Sequence, residues 1–252
     1  MDAATTSLAP ANSTRGEWSQ FATFLKQPTL PDRAPMPRVS SLVAVFRLFV
    51  LDLLVMSLLL ALAGAVMAAG IDVPETALAG IEIGAGIVFA VVVVAPLAEE
   101  IAFRSWLSGR PGHVLGPIAA IPLALLAVAA FSLVSGGTLG QIWLGALVGV
   151  LAGLLAALAV VYWLRRRGAM RWFQRLFPLF FWASTLVFAC VHLFNFPAEE
   201  MVMALPLVLP QFVTGSILGY LRVTYGLWAS ILLHMLHNGA FIALVLLAGS
   251  AG

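Results

Sequence analysis

The sequence predicts an all-α protein, a polytopic bundle of about seven transmembrane helices, and three observations carry that expectation. Of the 252 residues, 62% are hydrophobic and 10% charged, whereas soluble domains average about 45–50% apolar and about 25% charged. So few charges cannot keep such a surface in water, and much of it must face lipid. Second, the apolar residues fall in long runs instead of short alternating ones. Third, the basic residues are confined to alternate connections between those runs, as short cytoplasmic loops require. The net charge of +2 gives no reason to expect nucleic acid as a partner, and the single Cys190 forbids an internal disulfide.

Residues 1–41 hold Pro10, Pro28, Pro31, Pro35 and Pro37 among Ala, Ser and Thr, and read as a disordered cytoplasmic tail. No secretory signal is visible, because the first long apolar run begins near Ser41 and is too long for a cleaved one. Residues 42–252 form the membrane domain. At about 20 residues per crossing, spans fall at roughly 43–70, 84–108, 115–135, 140–164, 177–196, 203–221 and 226–248. With the N-terminus inside, all 13 basic residues lie toward the cytoplasm, among them Arg15, Lys26, Arg47, Arg104, Arg110, Arg222 and the cluster Arg165, Arg166, Arg167, Arg171 and Arg175. The outer loops keep acids: Asp72, Glu75, Glu82, Glu199 and Glu200. The Ala- and Arg-rich composition points to a bacterial inner membrane. In "RRRGAMRWFQRLFP" five arginines alternate with aromatic and aliphatic residues, as in an interfacial segment lying on anionic lipid headgroups.

Ionisable groups inside a span cost several kcal/mol, so each calls for a partner or a role. The second span carries Glu99, Glu100 and Arg104; the fifth carries His192 and Asn195; the seventh carries His234, His237 and Asn238. Residues four apart share a helix face and neighbours diverge. Glu100 therefore faces Arg104 as an orienting ion pair, and Glu99 is left without a local cation, able to take a proton from water. By the same spacing His234 joins Asn238 as a pair of donors for an oxyanion, Phe188 packs beside His192, and His237 points elsewhere into a structural contact. Arg47 and Asp52 read as a snorkelling or interfacial pair.

Depth decides whether these groups can meet. If the second helix runs on through "IAFRSWLSGR" to Arg110, Glu99 lies about 16 Å and His234 about 18 Å from their inner helix ends, at 1.5 Å per residue. His192 lies about 25 Å in, within reach if its helix starts near Pro178 or tilts. Convergence of Glu99, His192 and His234 is the expectation.

"EEIAFR", "FACVH" and "HMLHN" match the motifs E-E-x-x-x-R, F-x-x-x-H and H-x-x-x-N in that order along a polytopic chain. In this the sequence resembles the CAAX protease and bacteriocin-processing (CPBP, or Abi) family of intramembrane endopeptidases, which includes the type II CAAX prenyl proteases. The resemblance runs from about residue 84 to 248. It implies that Glu99 and His192 activate a water, that His234 and Asn238 stabilise the oxyanion, and that Glu100, Arg104 and Phe188 support the site. The substrate would be a membrane-associated peptide or a lipid-modified, CAAX-like tail. A metalloprotease reading would make Glu99, His192 and His234 zinc ligands. Asn is a poor fourth ligand, which favours a mechanism without a cofactor. Compact members pass almost directly from the glutamate helix to the F-x-x-x-H helix, whereas about 80 residues intervene here, reading as an extra helical hairpin at 115–164. Two other classes compete: a catalytically idle immunity or assembly scaffold of the same fold, and an ion-coupled transporter, for which no repeat of broken helices is seen.

Overall fold

A computed structural model describes residues 10–31, 34, 36–76, 81–135 and 138–249, all of which are helical or irregular, with no strand among them. They divide into two compact units: residues 1–107 with 175–252, and residues 108–174.

In the first unit, helix α1 (Thr14–Lys26) lies within the stretch whose composition reads as disordered, and this is a correction to that reading. The physical signals are local. Ser13 caps the helix by accepting from the Gly16 N–H at 3.1 Å, and Glu17, Phe21 and Phe24 recur at helical spacing and are buried. Five prolines elsewhere in the stretch outweigh these few residues in any average over composition. Helix α2 (Val39–Ala68) comes next, then the short α3 (Ala85–Phe89), a π turn at Ala90–Val94, α4 (Ala95–Arg104) and a 3₁₀ turn at Ser105–Ser108. Pro96 accounts for the π turn. It has no N–H to bond the carbonyl four residues back, and its ring crowds that carbonyl, so the helix widens.

The second unit holds α5 (Pro111–Val134), α6 (Leu139–Leu164) and the short α7 (Arg171–Arg175) at its edge. Thr138 and Gln141 form a capping box at the start of α6. A stripe of glycines on α6 lets it lie close against α5: a Cβ on Gly153 would stand 3.0 Å from the Ala120 carbonyl oxygen, and one on Gly112 of α5 would stand 3.0 Å from Val161 Cα. Arg165, Arg166, Arg167 and Arg171 are exposed beyond the end of α6.

The first unit resumes with α8 (Phe177–Val191), which runs through a 3₁₀ turn at His192–Asn195, then α9 (Leu209–Thr224) and α10 (Leu227–Gly249). Among the described residues six helices are long and apolar enough to cross a membrane: Val39–Ala68, Ala85–Ser108, Pro111–Val134, Leu139–Leu164, Phe177–Asn195 and Leu227–Ala248. The expected span at 203–221 is not one of them. Pro206 and Pro210 confine its first part to turns, and the 16 residues of α9 reach about 24 Å against a hydrocarbon core of about 30 Å. Every residue of α9 from Thr214 to Thr224 is buried. It is an interior helix, packed against α8, α10, α2 and α1.

Two glycines make that packing possible. A Cβ at Gly219 would meet Phe181 Cε2 at 2.7 Å, and one at Gly215 would meet Phe188 Cδ1 at 3.0 Å and Arg104 Nη2 at 3.3 Å. Phe181 is itself buried against Phe24 and Phe177 and cannot yield. Gly219→Ala is therefore expected to destabilise by about 1–3 kcal/mol, although alanine favours a helix. Gly64→Ala, where nothing lies within 4 Å, should be neutral or slightly stabilising. Thermal unfolding in detergent compares the two.

Candidate active site

Glu99 and Glu100 stand side by side on α4 and serve two different networks. Glu100 is fully buried. Its Oε1 accepts from Arg104 Nη1 at 2.8 Å and from His234 Nδ1 at 2.9 Å, and its Oε2 accepts from the Ser230 hydroxyl. The ion pair read from the i,i+4 spacing is present, and the carboxylate also reaches α10 to hold His234. A carboxylate accepts, so His234 donates from Nδ1 and presents Nε2 on its other side.

That Nε2 lies 3.7 Å from Glu99 Oε2. His192 reaches the same oxygen from the end of α8, with its Nε2 at 4.0 Å. Its Nδ1 donates to the Phe188 carbonyl at 2.7 Å, which fixes the ring in the same sense. The two imidazoles thus offer matching nitrogens to one carboxylate oxygen, which is buried and has no hydrogen-bond partner among the described residues. The Glu99 side chain as a whole keeps 29% exposure and His192 keeps 20%, so the cluster has an open side. The structure brings Glu99, His192 and His234 together, although they come from helices far apart in the chain.

Phe188 is the packing centre of the cluster. Its ring lies under the Arg104 guanidinium, 3.9 Å from the centroid. It also meets Phe103 at 5.5 Å, His192 at 4.8 Å and His234 at 5.8 Å between ring centroids.

Asn238, expected to join His234 as a pair of donors, also has a backbone partner. Its Nδ2 donates to the Val91 carbonyl at 2.8 Å. The reason lies in the π turn: in its i to i−5 pattern Ala95 N–H bonds Ala90 O, and the next donor, for Val91 O, would be Pro96, which has none. Asn238 supplies the missing bond.

A second polar cluster lies beside the first. Asp52 is fully buried and accepts from Thr214 Oγ1 at 2.9 Å and from His237 Nδ1 at 2.6 Å. Asp52 is thus no interfacial partner of Arg47, and this corrects that reading. Arg47 donates instead to the Ala11 and Asn12 carbonyls of the N-terminal segment. His237 does make a structural contact, and Asp52 is its partner. Sequence reasoning also passed over Ser230 and Arg222, the latter counted only as a loop charge. Arg222 is buried in the last turn of α9 and donates through Nε to Arg104 O and through Nη2 to Ser105 O, both at 2.8 Å. Ser184 likewise donates to Phe103 O at 2.7 Å. Only the apolar character of the segments around these residues could have marked them as inward-facing.

The family model described as type II CAAX prenyl endopeptidase Rce1-like matches residues 82–168 and 162–240. The first stretch contains Glu99, Glu100 and Arg104; the second contains Phe188, His192, His234 and Asn238. No curated protein and no solved structure matches the chain.

Proposed function

Because the chain belongs to the type II CAAX prenyl endopeptidase Rce1-like family and is an integral membrane protein of the CAAX protease kind, we propose that it hydrolyses a peptide bond through a water activated by Glu99 and His192. One observation carries this reading: Glu99 Oε2 lies 3.7 and 4.0 Å from two imidazole nitrogens whose other nitrogens are both tied down. A water hydrogen-bonded at about 2.8 Å to two groups spaced in this way fits between them. As its oxygen attacks the scissile carbonyl, Glu99 takes one of its protons. His234, protonated at Nε2 and balanced by Glu100, donates to the oxyanion, with the remaining amide hydrogen of Asn238 as the second donor. Glu99 then returns the proton to the leaving amine nitrogen, the C–N bond breaks, and an acid and an amine are released.

The mechanism we favour uses water without metal. The fourth polar group of the site, Asn238, is an amide and a poor zinc ligand, and its Nδ2 is engaged with the Val91 carbonyl. The substrate we propose is a membrane-associated or lipid-modified protein tail entering from the cytoplasmic side, with the N-terminus and the arginine cluster on that side.

The test compares protein termini by mass spectrometry in membranes carrying the wild type or Glu99→Gln at matched amounts. New C-termini found only with the wild type, and persisting in 1,10-phenanthroline, are expected. Identical termini in both would overturn the peptidase reading and favour an idle scaffold. Termini lost with the chelator and restored by zinc would overturn the metal-free mechanism alone.

A further inference from the structure

The catalytic helix α4 is poorly held by its own ladder. It begins at a π turn and a proline, where one carbonyl depends on a side chain from α10. Its far end has the ordinary problem of helix termini, carbonyls without intrahelical partners. In a protein interior those carbonyls must be paired from outside.

Arg222 does this. Its guanidinium bonds the carbonyls of Arg104 and Ser105 at once, placing a cation at the helix C-terminus, where the dipole favours it. The residues flanking Arg222 are in turn held by α1. Tyr225 and Tyr220 both donate to Glu17 Oε1, at 2.6 and 3.4 Å, and the Ala11 N–H donates to Oε2 at 3.1 Å. Glu17 is fully buried. Phe21 and Phe24 pack their rings on Tyr220, with centroids 5.4 and 5.1 Å apart. The path therefore runs from Glu17 to Tyr220 and Tyr225, along the end of α9 to Arg222, from its side chain to the Arg104 and Ser105 carbonyls, and one turn back to Glu100 and His234.

We propose that Arg222 and Glu17 are positioning residues of the active site: helix α1 clamps the end of α9, and α9 through Arg222 sets the register of the helix that carries Glu99 and Glu100. A segment of unpromising composition then serves catalysis without touching substrate. The inference rests on the peptidase reading only where activity is the readout.

Glu17→Ala and Arg222→Lys test it in the full chain. Lys keeps the charge and loses the fork that spans two carbonyls. Each variant is expected to lower kcat about tenfold while KM stays within about twofold and the folded amount is retained. The double variant should fall no further than the weaker single, because both act through one path. Thr23→Ala, on the exposed side of α1, should match the wild type. Hydrogen exchange followed by mass spectrometry should show faster exchange at residues 105–108 in both single variants. Wild-type kcat in a folded Glu17→Ala, or losses that multiply in the double variant, would overturn the proposal. Should Glu17→Ala fail to fold, Glu17→Gln carries the same arms. If the wild type cleaves nothing, the peptidase reading fails, and exchange alone decides: faster at 105–108 supports the clamp, unchanged overturns it.

Discussion

Glu99→Gln is expected to lower peptide hydrolysis by about 10²–10⁴-fold while leaving the protein folded, the largest effect on activity of any conservative change in the chain. Gln has nearly the same shape and remains an acceptor, but it cannot hold a proton taken from water. The structural cost should be small because Glu99 is not the residue that joins the helices. Its Oε2 has no hydrogen-bond partner among the described residues, and the side chain is partly exposed. With no hydrogen bond lost, the change should be small against a typical domain stability of about 5–15 kcal/mol. The check is kcat/KM on a cleaved peptide together with the melting temperature in detergent. A folded variant within about tenfold of the wild type would remove Glu99 as the base.

Features that depend on local spacing could be read along the chain. The i,i+4 relation placed Arg104 on Glu100 and Phe188 beside His192, and both contacts are present. Long apolar runs gave helices with nearly the expected limits, including the continuation of the second span to Ser108. Partners distant in sequence could not be read. Helix geometry puts His234 on one face with Asn238 but does not name its partner Glu100, 134 residues away. Asn238 goes to Val91 because of a proline, and Asp52 goes to His237 because α2 packs on α10. No periodicity in one helix encodes which face of another it will meet. The N-terminal helix was hidden for a different reason. Its buried set is Glu17, Phe21 and Phe24, too few residues to shift a composition dominated by Pro, Ala and Ser, and one of them is a carboxylate.

Arg104→Ala is expected to act on folding as much as on activity, destabilising by about 3–5 kcal/mol. Domains are typically stable by only about 5–15 kcal/mol, so much of the folded protein should be lost. Arg104 is buried and supplies the cation for a carboxylate that is itself fully buried. Removing it leaves Glu100 with only the Ser230 hydroxyl and His234, and it strips the guanidinium from the Phe188 ring. Arg104→Lys should fall between, since an ammonium restores the charge without the planar contact with that ring. The double change Glu100→Gln with Arg104→Met separates the two consequences. With neither charge left to bury, folded protein should recover relative to Arg104→Ala, as seen when buried ion pairs are replaced whole. Activity should stay low, because a neutral amide no longer balances a protonated His234. The folded fraction after detergent extraction and kcat on the recovered protein measure the two arms. Full recovery of both would mean that the Glu100 charge serves packing alone and that His234 does its work without it.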